Sequence, residues 1–130
     1  MKVTLFAPPS YWSLAPEQLK ALIGTGGCGP GSSWGDFLVP DTMWGLNVKP
    51  ACTIHDYMYR VGESVEEKDE ADRVFLNNLL RLIAAAGGWG ILRAMRRRRA
   101  MTYYQAVKHF GGPAFWKGKN DPAAMRLVMA

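Results

Sequence analysis

Cysteine is scarce in this chain, with only Cys28 and Cys52 among 130 residues. Two cysteines exclude a disulfide-built scaffold and allow at most one internal bridge. Nothing at the start reads as an export signal. Met1-Lys2 leads into a short apolar run broken at Pro8-Pro9, with no small-residue cleavage site. On that ground alone, two free thiols are expected. Long hydrophobic runs are missing too. The longest mostly apolar, uncharged stretch, Leu82 to Leu92, falls well short of the ~20 residues a membrane-spanning helix needs. Acidic residues are nearly absent from the last third. Residues 88–130 carry nine Lys/Arg and one acid, Asp121, whereas residues 1–87 carry seven Lys/Arg and ten Asp/Glu. The net charge of +5 is therefore a balance of about −3 and +8. A basic tail of this kind suits an anionic partner, either a membrane surface or nucleic acid.

What is present reads as globular. The hydrophobic fraction is 48% and the charged fraction 21%, and a chain of this length fits one domain, 1–130, with a core of its own. Residues 1–15 read as irregular. Pro16 suits the first position of a helix that runs to Ile23 and stops at Gly24. Residues 24–49 hold seven Gly and two Pro and read as a long loop, a feature usually tied to function. A helix is expected from near Pro50 to Arg60, ended by Gly62. Ser64 is a good N-cap, with Glu67 as its capping-box partner, for a helix from about Val65 to Ala86 that ends at Gly87-Gly88. Another helix covers Trp89 to Phe110, closed by Gly111-Gly112-Pro113, and a short one covers Pro122 to Met129. No repeat and no strand pair stand out. The expected class is mainly α. Two long antiparallel helices follow a Gly-rich loop, with further helices packed around them.

Chemistry concentrates in Cys52-Thr53-Ile54-His55-Asp56-Tyr57-Met58-Tyr59, read with the upstream turn Gly27-Cys28-Gly29-Pro30-Gly31. At about 100° per residue, Tyr59, Cys52 and Asp56 lie within about 100° of His55 on one broad helical face. On the next helix, Val65, Phe75, Leu76, Leu79 and Ile83 lie within about 60° of Asp72, so Asp72 sits in the middle of the apolar stripe. A buried carboxylate is costly unless paired. A five-residue link brings His55 and Tyr59 within reach of it. A carboxylate behind one imidazole nitrogen fixes the tautomer and leaves the other nitrogen to take a proton from water. Asp56 can face the glycine turn, whose carbonyls together with a carboxylate suit calcium. The turn lacks the Lys-Ser/Thr ending of a phosphate-binding loop. Asp69 and Glu70 read as solvated. Singly, each of these features is ordinary; their joint order is not.

These motifs resemble the secreted phospholipase A2 superfamily, especially its small prokaryotic and viral members. Gly27-Cys28-Gly29-Pro30-Gly31 fits the family's calcium loop, and Cys52 to Tyr59 fits its Cys-X-X-His-Asp-X-X-Tyr helix. Ala71-Asp72-Arg73 is similar to the second catalytic helix. The likeness covers residues 24–83 and implies a calcium-dependent phospholipid ester hydrolase. By it, His55 is the general base, Asp72 with Tyr59 bonded to it orients His55, and Asp56 with the carbonyls of Gly27, Gly29 and Gly31 holds Ca2+. The Gly29 N–H is the second oxyanion donor. The likeness also implies a Cys28–Cys52 disulfide worth about 3 kcal/mol, against the compartment argument. The other family disulfides are missing, and residues 88–130 match nothing in the family. A compact helical pair without an export signal fits a phage or prophage protein.

Alternatives remain at this level. The phospholipase frame could serve as a catalytically silent particle-associated or membrane-binding module. Cys28, Cys52, His55 and His109 could form a zinc site. Arg93 and Arg96 to Arg99 point several ways around a helix. They read as a solvated face, as a contact to anionic lipid with Trp89 and Trp116 as anchors, or as a nucleic-acid contact.

Overall fold

The computed structural model describes residues 3–23 and 42–116. Among these the fold is mainly α. Its elements are α1 (Pro9–Trp12), α2 (Pro16–Ile23), β1 (Thr42–Met43), β2 (Leu46–Asn47), α3 (Lys49–Val61), α4 (Val65–Ala86), α5 (Gly90–Phe110) and α6 (Gly112–Trp116). The rest of the long loop, including Gly27, Cys28, Gly29 and Gly31, and the short helix expected over Pro122 to Met129 lie outside the described residues.

Local chemistry explains most of the boundaries. Pro16 opens α2, and the Gln18 side chain accepts from the Ala15 N–H at 2.9 Å. Ser64 caps α4, its hydroxyl oxygen accepting from the Glu67 N–H at 3.1 Å. The Glu67 carboxylate reaches back to the Glu63 N–H at 3.2 Å, one residue further than in the usual capping box. Gly87 (φ 66°) and Gly88 (φ 97°) end α4 in a backbone region where a side chain would be strained. Gly62, by contrast, has an ordinary φ of −70°. It is glycine because a Cβ there would press on the Phe115 ring at 2.9–3.0 Å.

Four short elements depart from the sequence expectation: β1, β2, α1 and α6. Thr42 pairs with Asn47 and Met43 with Leu46 in an antiparallel hairpin, inside the stretch read as loop. Its two-residue turn is Trp44-Gly45, both at positive φ (51° and 79°), the geometry a tight hairpin demands. A tryptophan there is unusual and is held from α5: the buried Arg96 donates to the Trp44 carbonyl at 2.8 Å, and the Arg99 guanidinium lies over the indole at 5.6 Å. Arg96 is thus part of the interior and not of a solvated face. The short helices α1 and α6 fall where irregular chain and a closing turn were expected. Both begin at or beside a proline, which tolerates a first helical turn. Val65, placed in the apolar stripe by periodicity, is exposed at the first turn of α4, and Leu76 is only half-buried.

The core forms where α4 packs against both α3 and α5. Phe75, Leu79, Leu82 and Ile83 of α4 meet Ala51 and Cys52 of α3, Ala100, Tyr103 and Val107 of α5, and Met43 and Val48 beside the hairpin. A second cluster joins Tyr59, Ala71 and Phe115. The N-terminal segment is clipped to α4 by the fully buried Asn78, whose amide accepts from the Phe6 N–H (2.7 Å) and donates to the Phe6 carbonyl (2.8 Å). Arg81 lies over the Phe6 ring at 4.0 Å. No helix among the described residues is long and apolar enough to cross a membrane. Replacing Asn78 by Ala leaves both Phe6 backbone groups without their partner. Urea denaturation of Asn78→Ala should show a loss of about 1–3 kcal/mol; an unchanged midpoint would mean that the clip carries no stability.

Candidate active site

The sequence periodicity places Asp72 in the interior, and Asp72 is 1% exposed. Its two oxygens have separate partners. Oδ1 receives His55 Nε2 at 2.8 Å and the Tyr59 hydroxyl at 2.7 Å. Oδ2 receives the Lys68 ammonium at 2.9 Å. His55 and Tyr59 stand one turn apart on α3, so both reach the same oxygen. Lys68 stands one turn before Asp72 on α4 and reaches the other. Ring packing sets the imidazole plane: Tyr59 lies 4.0 Å and Phe75 4.8 Å from it, centroid to centroid. Phe115 of α6 meets Tyr59 edge-on at 5.2 Å.

The electrostatics follow from these partners. Burial pushes the Asp72 carboxyl up, but the bonds from His55, Lys68 and Tyr59 outweigh it and hold the group below its ordinary value. Asp72 is therefore ionised. His55 is fully buried, and desolvation brings it below its ordinary value despite the pull of Asp72; Lys68 lowers it further. The imidazole is thus neutral near pH 7. With an ionised acceptor at Nε2, that nitrogen carries the proton and Nδ1 carries the basic lone pair. The Tyr59 hydroxyl is pushed far up by burial and by the Asp72 charge, so it stays a donor.

Asp56, next to His55, is 0% exposed. A carboxylate is a hard oxygen donor suited to calcium. The other three expected ligands, Gly27, Gly29 and Gly31, and the expected oxyanion donor Gly29 lie outside the described residues. Cys52 is fully buried and disulfide-linked, which overturns the two-free-thiol expectation and removes Cys52 from a zinc site. The chain has one other cysteine, Cys28, outside the described residues. His109 belongs to the exposed side of α5, bonded to Gln105 at 2.9 Å, whereas His55 is interior. Among the described residues no group of three His, Cys, Asp or Glu side chains could hold a metal. Of the proposed interface anchors, Trp89 is 81% exposed, but Trp116 is half-buried against Phe115 at 4.7 Å.

Lys68 escaped the sequence reading. The signal was there: a lysine four residues before a buried acid shares its helical face. A cleft of about 570 Å3 between the N-terminal segment and α3–α4, lined by Phe6, Pro8, Met58 and Val74 among others, contains none of the network. Its Glu70–Arg73 ion pair is solvent-exposed, so the chemically equipped place is the buried network. Comparisons with protein-family models, curated proteins and solved structures found no match.

Both His55 and Asp72 hold fewer protons folded than unfolded. Their contribution to stability is full above the ordinary histidine value of 6.5 and is lost as pH falls, first through histidine and then through carboxylate protonation. Unfolding free energy should therefore decline from about pH 6.5 downward, and His55→Gln should lack the first part of that decline. A stability curve flat from pH 7 to about 4.5, just above the carboxylate range, would contradict this account.

Proposed function

We propose that this chain is a calcium-dependent hydrolase of the phospholipase A2 type, cleaving a phospholipid ester with a His55-activated water. One observation carries the reading: a buried imidazole is bonded through Nε2 to a buried Asp72 that Tyr59 also holds, on the motif Cys-X-X-His-Asp-X-X-Tyr. In this reading α3 and α4 are the antiparallel pair that carries the site, and the preceding glycine-rich segment is the calcium loop.

Each residue then has a role. His55 Nδ1 takes a proton from water, and the resulting hydroxide attacks the ester carbonyl. Asp72 fixes the ring and stabilises the imidazolium that forms, with Tyr59 steadying Oδ1. The imidazolium returns its proton to the departing alcohol, leaving a fatty acid and a lysophospholipid. Asp56 and the carbonyls of Gly27, Gly29 and Gly31 would hold Ca2+. Calcium, when bound, polarises the ester carbonyl and offsets the charge that develops on its oxygen. The Gly29 N–H would be the second donor to that oxygen. The disulfide of Cys52 would run to Cys28 and tie the loop to α3. The membrane contact falls to the start of α5, where exposed Trp89 and Ile91 precede exposed Arg93 and Arg97. An apolar anchor beside cations suits an anionic lipid surface.

The test is hydrolysis of phospholipid vesicles with calcium and with chelator. His55→Gln should lower the rate by about 10²–10⁴-fold, and Asp56→Asn or chelator should abolish the calcium-dependent part, with circular dichroism unchanged. Parental hydrolysis by His55→Gln, or an equal rate in chelator, would end this reading.

A further inference from the structure

The buried lysine of the network has no role in the reaction as written. Lys68 is 8% exposed. Its ammonium contacts the Asp72 carboxylate at 2.9 Å, the Val107 carbonyl at 3.2 Å and the Lys108 carbonyl at 3.4 Å. An ammonium has three donors, and these three acceptors account for all of them. Two acceptors are the last carbonyls of α5, where the helix carries its negative end. On the Oδ2 side the backbone of α5 therefore meets the Asp72 carboxylate through Lys68. On the Oδ1 side, Tyr59 approaches the same Val107 carbonyl at 3.4 Å. Gly111 makes that approach possible, since a Cβ there would collide with the Tyr59 hydroxyl and the Val107 carbonyl.

We propose that Lys68 is a positioning residue that locks the Asp72 carboxylate against the C-terminal carbonyls of α5. The basic helix outside the recognisable motif thereby sets the geometry of the His55–Asp72 pair. This rests on reading that pair as catalytic. A carboxylate held at one oxygen only can swing about its Cβ–Cγ bond. Held at both, it presents Oδ1 to His55 at a fixed angle. Lys68 also cancels the Asp72 charge at contact distance, so the interior holds a neutral pair and not a stranded anion.

Two readouts in one set of variants test this. The first is an NMR reading, at neutral pH, of the shift and exchange rate of the His55 Nε2 proton, expected downfield and slow to exchange in the parent, which requires no activity. The second is kcat against KM for vesicle hydrolysis. Lys68→Met should broaden or shift the proton and speed its exchange, and should lower kcat by about a hundredfold, the cost of slight misplacement of a reacting group, with KM little changed, since ground-state binding is untouched. An unperturbed proton in folded Lys68→Met overturns the proposal, whether or not the parent hydrolyses lipid. A perturbed proton with an inactive parent keeps it and sinks the phospholipase reading instead. If Lys68→Met does not fold, Lys68→Met/Asp72→Asn decides. Recovery of the fold on removing both charges shows that the ammonium answers Asp72. Failure of the double variant makes Lys68 a packing residue and overturns the proposal.

Discussion

A carboxylate without water is the constraint on which this structure depends. Asp72 is buried almost completely, and an ionised group so placed costs several kcal/mol unless donors replace its hydration. The fold supplies them from two helices. His55 and Tyr59 of α3 and Lys68 of α4 take the two oxygens, and Lys68 is in turn held by the end of α5. Moving any one of the three helices would leave a buried charge or a buried donor without its partner. Core packing around Phe75, Leu79 and Val107 holds the helices together; the polar network selects one arrangement of them.

The basic segment looks different once its faces are separated. Arg96, Ala100, Tyr103 and Val107 recur at helical spacing and point inward. Arg93, Arg97, Arg98 and Arg99 are exposed. Two arginines of the run are thus structural at the strained Trp44 turn, Arg96 through its carbonyl and Arg99 over its indole, and Arg93, Arg97 and Arg98 are the exposed remainder. Sorting arginines by helical angle replaces the single label of a charge run with two jobs on one helix.

Much of this was legible in the sequence where pattern and chemistry agreed. The limits of α2, α4 and α5 follow from Pro16, Ser64 with Glu67, and the Gly87-Gly88 pair. The burial of Asp72 follows from its place among Phe75, Leu79 and Ile83, and the need for partners follows from the burial. What escaped has physical reasons. The Thr42–Asn47 hairpin has strands of two residues and a turn built on Trp44, whose positive φ is held by Arg96 and Arg99 from a distant helix. No local signal encodes that. Arg96 differs from its neighbours only by the tertiary contact. Gly62 and Gly111 read as helix stops, yet both are glycine because a ring or hydroxyl from another element occupies the space of a Cβ. Lys68 was readable by spacing alone but needed α5 to explain its burial.

The central claim is that Asp72 holds a neutral His55 with its proton on Nε2 and its lone pair on Nδ1. The most direct measurement is the pair of imidazole 15N shifts of His55 in the folded protein at pH 7. A protonated Nε2 with an unprotonated Nδ1 is the predicted result. A proton on Nδ1, or on both nitrogens, would contradict the account.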